Sequence, residues 1–243
     1  MRAIILAAGL GTRLQPLTNI TPKALVEING ITPLEFTIKR LKASGFTKII
    51  VNVHHFADQV INFLRVKNNF GIDIEISDER DLLLDTGGGL KKASPFFDDG
   101  KPFLIHNVDI LSDIDLKGLY KYHNEADSLV TLAVQRRKSS RYFLFDEEKN
   151  LCGWKNEKTN ELKMARQPAG GLIPLAFSGI HISGPSLFGL MPQENIFSIV
   201  DLYLSIASQN RISYFDHSDS LFIDLGKKEN LIEAGKIIDK ILK

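Results

Sequence analysis

The sequence has little cysteine and little excess charge, and both shortages narrow what the protein can be. Cys152 is the only cysteine among 243 residues, so the chain can form neither an internal disulfide nor a Cys₄ or Cys₂His₂ zinc site. Thirty basic residues against 29 acidic ones leave a net charge of +1. Dedicated nucleic-acid and anionic-membrane binders carry a strong basic excess. We therefore expect no nucleic-acid partner, no membrane partner and a cytoplasmic location.

Long hydrophobic runs are also missing. No apolar stretch approaches the roughly 20 residues that cross a bilayer. The apolar run after Met1 and Arg2 is short and soon followed by Arg13, which favours a buried first strand over a signal peptide. The composition, 44% hydrophobic and 24% charged, is that of an ordinary globular protein. We predict a single domain over residues 1–243.

Short apolar runs alternate with helical patterns through the first half of the chain. Buried strands are predicted at residues 2–6, 48–53 and 102–107. This alternation indicates the α/β class, with a mixed, mostly parallel sheet flanked by helices. Such sheets bind ligands beyond the carboxyl ends of their strands. Residues 7–13, the stretch from Val53 and residues 106–109 should therefore converge at one mouth.

The second half has a different pattern. A strand is predicted over residues 129–134, a hairpin over 142–145 and 151–154, a polar turn over 156–161, an extended segment over 172–182, a short apolar run over 221–225, and helices over 198–208 and 227–242. We expect this half to extend the same sheet and to close over its mouth.

The strongest local signal directly follows the first strand. Residues 7–14 are Ala-Ala-Gly-Leu-Gly-Thr-Arg-Leu, and small residues let backbone N–H groups approach phosphate oxygens closely. Leu14 stands where a dinucleotide-binding fingerprint needs a third glycine, and no P-loop Gly-Lys-Ser/Thr is present. A bare Gly-x-Gly is more typical of an ordinary turn. Arg13 and Lys23 favour a ligand site over an ordinary turn, because two cations beside small residues suit a polyphosphate. Pro22 limits the conformations of the loop that carries Lys23.

Residues 7–14 together with Pro22-Lys23 resemble the signature of the sugar-1-phosphate nucleotidylyltransferases. Three further blocks, residues 53–59, 85–89 and 177–181, are similar to the short bacterial N-acetylmuramate-1-phosphate uridylyltransferase-like and mannose-1-phosphate guanylyltransferase-like members. The resemblance implies a Rossmann-like fold of the glycosyltransferase-A type. It also implies a Mg²⁺-dependent reaction in which an NTP and a sugar 1-phosphate give an NDP-sugar and pyrophosphate.

The resemblance also assigns roles to charged residues. Asp109 and Asp224 correspond to the family's two metal-binding aspartates, and Mg²⁺ typically uses one or two carboxylates plus substrate phosphates. The family usually has glycine before the first aspartate, where this chain has Val108. The expected catalytic residues are Arg13, Lys23 and Asp109. Arg13 is expected to hold the departing pyrophosphate, and Lys23 the phosphates near the reacting centre.

The same blocks imply contacts to the substrates. The expected nucleotide-binding residues are Leu6, Ala8, Gly9, Gly11, Thr12, Gly87 and Gly88. Gly179 and Trp154 are expected to bind the sugar, and Lys155 and Lys163 are loose candidates for its phosphate. The resemblance thus implies a nucleotide-binding half, residues 1–127, and a sugar-phosphate-binding half, residues 128–243.

Several alternatives stay open at this stage. UTP is favoured over GTP, since Ala8 carries a methyl group where guanylyl- and thymidylyl-transferring relatives often have glycine. A non-catalytic nucleotide-binding module is a second class, although such a module would be expected to lack the charged set. A glycosyltransferase could use Asp113 and Asp115 as an Asp-x-Asp metal motif, but Asp115 is better placed as a helix N-cap. Packing or capping is favoured for His54 and His55. A homo-oligomer is compatible with the sequence, which does not determine the assembly.

Overall fold

The computed structural model describes residues 1–226 and 229–242, which form a ten-stranded sheet and a separate two-stranded sheet. The strands are β1 (Arg2–Leu6), β2 (Lys48–Val53), β3 (Asp73–Asp78), β4 (Phe103–Asn107), β5 (Ile110–Ser112), β6 (Val130–Gln135), β7 (Arg141–Phe145), β8 (Leu151–Asn156), β9 (Glu161–Met164), β10 (Ile173–Ser183), β11 (Ile212–Asp216) and β12 (Phe222–Asp224). The helices are α1 (Pro33–Ala43), α2 (Ala57–Val66), α3 (Asp85–Lys92), α4 (Leu116–Glu125), α5 (Ile199–Ile206) and α6 (Asn230–Leu242).

The first half supplies four parallel strands of the large sheet, in the order β3-β2-β1-β4. Alternate residues of β1 pack on opposite faces, with Ile5 in one hydrophobic cluster and Ile4 in the other. Both are fully buried, as expected of a parallel strand that helices cover on both sides. The predicted α/β class is confirmed.

Helix α1 shows how local sequence signals position the covering layer. The sequence Thr32-Pro33-Leu34-Glu35 is typical of a capping box with proline at the first helical position. The structure confirms this start: the Thr32 hydroxyl accepts a hydrogen bond from the Glu35 backbone N–H at 3.1 Å, and Pro33 is the first helical residue. Leu34, Ile38 and other apolar residues of this helix pack on the sheet. Helices α3 and α5 cover the opposite face.

The second half joins the sheet through antiparallel pairs. Strand β10 pairs with β4, β6 and β7, and the predicted hairpin is present as β7 and β8. The sheet continues into β9 at its edge, a strand that the sequence does not predict. Its residues Glu161-Leu162-Lys163-Met164 alternate polar and apolar, but the strand is only four residues long and all four are exposed, so it buries no face.

The small sheet brings the end of the chain to the mouth. Strand β12 pairs antiparallel with β5, while Ile223 and Leu225 pack against Ala234 and Ile237 of α6. The helix predicted over residues 227–242 begins at Asn230, and residues 227 and 228 lie outside the described part of the chain. Within that part, no helix combines the length and the apolar character needed to cross a membrane.

Candidate active site

A cavity of about 500 Å³ opens at the carboxyl ends of β1 and β4. Its walls include most of the loop after β1, Lys23, residues 107–109, Asn52, Glu79, Asp85, Thr86 and Gly226. Two of the three expected segments thus converge as predicted. From β2 the cavity wall receives Asn52 rather than the residues after Val53, and His106 is buried at 3% exposure outside the wall.

The loop after β1 depends on Gly11. Its φ of +65° lies in the left-handed region, which glycine adopts without strain. A Cβ there would lie 2.9 Å from Thr18 Cγ2 and 3.1 Å from Lys23 Cβ. The Thr18 hydroxyl donates a hydrogen bond of 2.8 Å to the Gly11 carbonyl. Gly11 therefore lets the loop lie directly against the segment that carries Lys23.

Gly9 contrasts with Gly11, although both line the cavity. A Cβ on Gly9 would meet no protein atom within 4 Å, and the φ of this residue is not positive. Nothing in the protein requires glycine here. A missing side chain in open space at a cavity wall leaves room for a ligand to approach the backbone.

Lys23 and Asp109 form an ion pair across this loop. Lys23 Nζ contacts Asp109 Oδ2, and Lys23 is only 8% exposed. The sequence analysis expects Lys23 to face phosphates, but it does not predict this ion pair. In the structure Lys23 neutralises the Asp109 carboxylate. The Val108 backbone N–H donates to the Leu6 carbonyl at 3.1 Å, which fixes Asp109 at the cavity wall.

Asp224 and Arg13 join the same place. Asp224 pairs with Ile110 between β12 and β5, and the Leu225 N–H donates to the Asp109 carbonyl at 2.9 Å. A Cβ on Gly226 would lie 2.9 Å from Asp224 Oδ1 and 3.1 Å from Arg13 Cζ. Arg13, Lys23 and Asp109 thus line one end of the cavity, and Asp224, which is not itself a lining residue, lies against that end beside Gly226.

The two aspartates suit a hard divalent cation. One oxygen of Asp109 contacts Lys23, and Asp224 Oδ1 accepts the Gly226 N–H at 2.6 Å. Among the described residues, Asp109 Oδ1 and Asp224 Oδ2 have no hydrogen-bond donor. No cluster of three or more His, Cys, Asp or Glu side chains suited to a metal occurs in that part of the chain. Two carboxylates completed by substrate phosphates and water are the set that Mg²⁺ uses.

Glu79 is a cavity residue that the sequence analysis missed. It follows β3 directly and is 1% exposed, and its Oε2 accepts a hydrogen bond of 3.0 Å from Asn52 Nδ2. Its Oε1 is buried without a partner among the described residues. Burial raises the pKa of the Glu79 carboxyl, while the Asn52 hydrogen bond opposes that shift. Its position just past a parallel strand is the signal that could have found it.

Gly87 and Gly88 lie within α3, which begins earlier than the sequence predicts. The Gly87 N–H donates to the Phe197 carbonyl at 3.0 Å, and a Cβ on Gly88 would lie 1.9 Å from the Asn195 carbonyl oxygen. In the structure these glycines thus allow close packing against residues 195–197, and they are not among the cavity-lining residues. Thr86 is the second residue of α3 and does not cap that helix; its hydroxyl accepts the N–H of Ile199, the first residue of α5, at 3.1 Å.

The two expected sugar-binding residues lie in different places. Gly179 has a φ of +69°, and a Cβ there would lie 2.8 Å from Asn107 Nδ2, so it packs beside the cavity wall. Trp154 lies on β8, with Lys163 Nζ 5.6 Å from its ring centroid, and is not among the cavity-lining residues. The loose phosphate candidates have carboxylate partners: Lys155 pairs with Glu157 and Lys163 with Asp201.

The remaining candidates have structural roles. Asp115 caps α4 by accepting the Gly118 N–H at 2.9 Å, as predicted, and Asp113 accepts the Leu221 N–H at 2.7 Å. Both carboxylates therefore accept backbone hydrogen bonds that stabilise the local structure. His54 donates a hydrogen bond of 2.8 Å from Nδ1 to the Glu79 carbonyl, which ties the residue after β2 to the residue after β3. Burial and the nearby Asp146 raise the pKa of the Cys152 thiol to about 11, as expected of a residue with no nucleophilic role.

Comparison with known proteins places this site in a family. Residues 2–149 match the family model described as nucleotidyl transferase. The chain belongs to this nucleotidyl transferase family. Over 218 residues it is 32% identical to an N-acetylmuramate alpha-1-phosphate uridylyltransferase of Caulobacter vibrioides, covering 86% of each chain. Over 234 residues it is 31% identical to the uridylyltransferase of the same name from Neisseria meningitidis serogroup B, covering 96% of each.

The fold of this nucleotidyltransferase is also found in solved structures. A putative glucose-1-phosphate thymidylyltransferase from Bacillus anthracis superposes with a TM-score of 0.81, covering 98% of this chain and 95% of the other, at 18% identity. Family and fold together confirm the predicted membership in the sugar-1-phosphate nucleotidylyltransferases.

Proposed function

We propose that this nucleotidyltransferase joins UTP to a sugar 1-phosphate, with N-acetylmuramate 1-phosphate as the preferred sugar substrate, and releases pyrophosphate. The observation that carries the proposal is the meeting of Arg13, Lys23, Asp109 and Asp224 at one end of a nucleotide-sized cavity. The sequence relationship to two uridylyltransferases supports UTP over GTP. The availability of nucleoside triphosphates makes the cytoplasm the expected location.

The chemistry needs charge compensation more than a general base. The attacking group is a phosphate monoester, whose second pKa is near ~6, so it is mostly dianionic at neutral pH. The difficulty lies in bringing two polyanions together in line. Arg13 would hold the leaving pyrophosphate, and Lys23 is close enough to Asp109 to share its charge between that carboxylate and a phosphate. Mg²⁺ held by Asp109 and Asp224 would add positive charge and orient the phosphates.

The cavity also suggests how the base is held. We place the triphosphate along the loop of Gly9 and Gly11, and the base between Ala8 and the Asn52–Glu79 pair, which line the same cavity. Glu79 lines this cavity, and its carboxylate is a hydrogen-bond acceptor that suits the N3–H of uracil. Guanine also has N–H donors, so GTP is the alternative to measure beside UTP.

The test is a pyrophosphate-release assay with purified protein and Mg²⁺. Four NTPs are combined with muramate-, glucosamine-, glucose- and mannose-type 1-phosphates. Release with UTP and the N-acetylmuramate compound, well above the other pairs, supports the proposal, whereas a preference for GTP with mannose 1-phosphate would replace both substrates. Tight NTP binding without turnover across the panel would indicate a non-catalytic module. Consumption of a nucleotide sugar without pyrophosphate formation would indicate a glycosyltransferase.

A further inference from the structure

Arg137 is a partly buried cation outside the cavity described above. It follows β6, its Nη2 donates a hydrogen bond of 3.0 Å to the Phe177 carbonyl, and its guanidinium carbon lies 4.3 Å from the centroid of the Phe222 ring. Its Nε is buried without a hydrogen-bond partner in the described residues, and no carboxylate there forms an ion pair with it. A partly desolvated guanidinium that forms no ion pair is costly, so a ligand that supplies further negative charge is expected.

The neighbours of Arg137 supply little of that charge. Burial lowers the pKa of Arg137, and the Asp224 carboxylate opposes this shift; the guanidinium stays charged at neutral pH. The adjacent His217 is neutral at that pH, since burial lowers its pKa to about 4. Positive charge at this place therefore comes from Arg137.

Strand β12 contacts Arg137 through Phe222 and also carries Asp224 of the candidate site. Side chains two residues apart on a strand lie on the same face, so Phe222 and Asp224 share one face while Ile223 packs towards α6. Arg137 lies over Phe222, and Arg13 lies against Gly226 beyond Asp224. Two guanidinium groups thus flank one candidate metal ligand from opposite ends of a short segment.

We propose that Arg137 binds the phosphate group of the sugar 1-phosphate and positions it for attack. In an in-line displacement the entering and leaving oxygens lie on opposite sides of the phosphorus. Because Arg13 is placed at the leaving pyrophosphate, the far side of Asp224 is where the entering phosphate must come, and Arg137 is the cation there. Its planar fork suits a phosphate. This inference rests on the proposed function.

The neighbouring Arg136 provides a matched control. It is exposed and pairs with Asp216 at 3.0 Å, so it contacts neither Phe222 nor the site. The two arginines have the same chemistry and adjacent positions, and they differ in burial and in what they face.

The experiment compares Arg137→Gln, Arg137→Lys and Arg136→Gln in steady-state pyrophosphate release. We expect Arg137→Gln to raise KM for the sugar 1-phosphate about 10-fold or more, with KM for the NTP changed less than about twofold. Arg137→Lys should restore part of the loss, because it returns the charge without the fork. Arg136→Gln should match the wild type. In the reverse direction KM for the NDP-sugar should rise in Arg137→Gln, and KM for pyrophosphate should not.

Three results would overturn the inference. Equal increases of both KM values, or a loss of kcat with both KM values unchanged, would show a structural role, and unchanged kinetics would show none. Circular dichroism and NTP affinity of the variants verify the fold. Failure of the wild type to release pyrophosphate would instead contradict the proposed function, so the two failures are distinguishable.

Discussion

The loop after β1 and the wall formed by β10 and β12 meet at the same pair of aspartates, yet they are built differently. The loop is local: Gly11, Arg13 and Lys23 lie within 13 residues of one another in the sequence, and the glycine's backbone holds the segment together. The wall is assembled from distant segments, since Arg137, Phe177 and Phe222 meet only through tertiary contacts. We propose that the loop binds the triphosphate whatever the acceptor, and that the wall selects and aligns the acceptor.

The largest effect is expected at the candidate metal-binding aspartates. Aspartates whose only role is to accept a backbone hydrogen bond should matter much less. Asp109→Asn removes a carboxylate charge at the cavity end and should lower kcat for pyrophosphate release about 100-fold or more. Asp113→Asn, at a residue that accepts the Leu221 N–H, is the control and should keep most of the rate. An Asp109→Asn enzyme with undiminished turnover would remove this residue from the mechanism.

The two loop glycines offer the next contrast. Gly11→Ala should lose both stability and activity, because its positive φ and the contact with Thr18 exclude a side chain. Gly9→Ala meets open space, so its thermal midpoint should match the wild type while KM for UTP rises several-fold. Thermal unfolding and kinetics of both variants check this. A Gly9→Ala variant with unchanged KM would show that no nucleotide passes there.

Glu79 should show opposite effects on binding and stability. Its carboxyl pKa is raised by burial, so the folded state holds a proton more tightly than the unfolded state. Its contribution to stability therefore declines as pH rises from the unfolded pKa through the raised folded value, leaving a cost at neutral pH. Glu79→Gln should raise the thermal midpoint of the ligand-free protein at pH 7 and raise KM for UTP. A lower midpoint with unchanged KM would contradict both parts.

Buried histidines predict a smaller, global effect. Burial lowers the pKa of His106 to about 4 and that of His181 to about 3, below the value near ~6.5 expected in the unfolded chain. The unfolded state then binds more protons than the folded state between these limits, so stability is lost as pH falls below about 6.5. Each of these two histidines should lower the free energy of unfolding in urea by on the order of 2 kcal/mol from pH 7 to pH 5. His181→Asn should flatten this dependence.

The contrast between loop and wall also explains what the sequence could predict. The strand at 2–6, the capped start of α1 and the cap at Asp115 rest on local patterns, and the structure confirms all three. The placement of Arg137 depends on which distant segments pack together, and nothing local marks it. Strand β9 pairs with the neighbouring β8 and Glu79 directly follows β3, so both have local signals that the sequence analysis did not use. The glycines at 87 and 88 carry a clear signal for close approach, but the sequence does not say whether a ligand or Asn195 and Phe197 makes that approach.

The most direct test of the shared cation site is a double-mutant cycle on Asp109 and Asp224, read as pyrophosphate release over a Mg²⁺ titration. If both carboxylates hold one ion beside the triphosphate, each Asn substitution should raise the Mg²⁺ concentration for half-maximal rate, and the double variant should be little worse than the poorer single one. Fully additive losses, or single variants with an unchanged Mg²⁺ requirement, would show that the two aspartates do not act on a common ion.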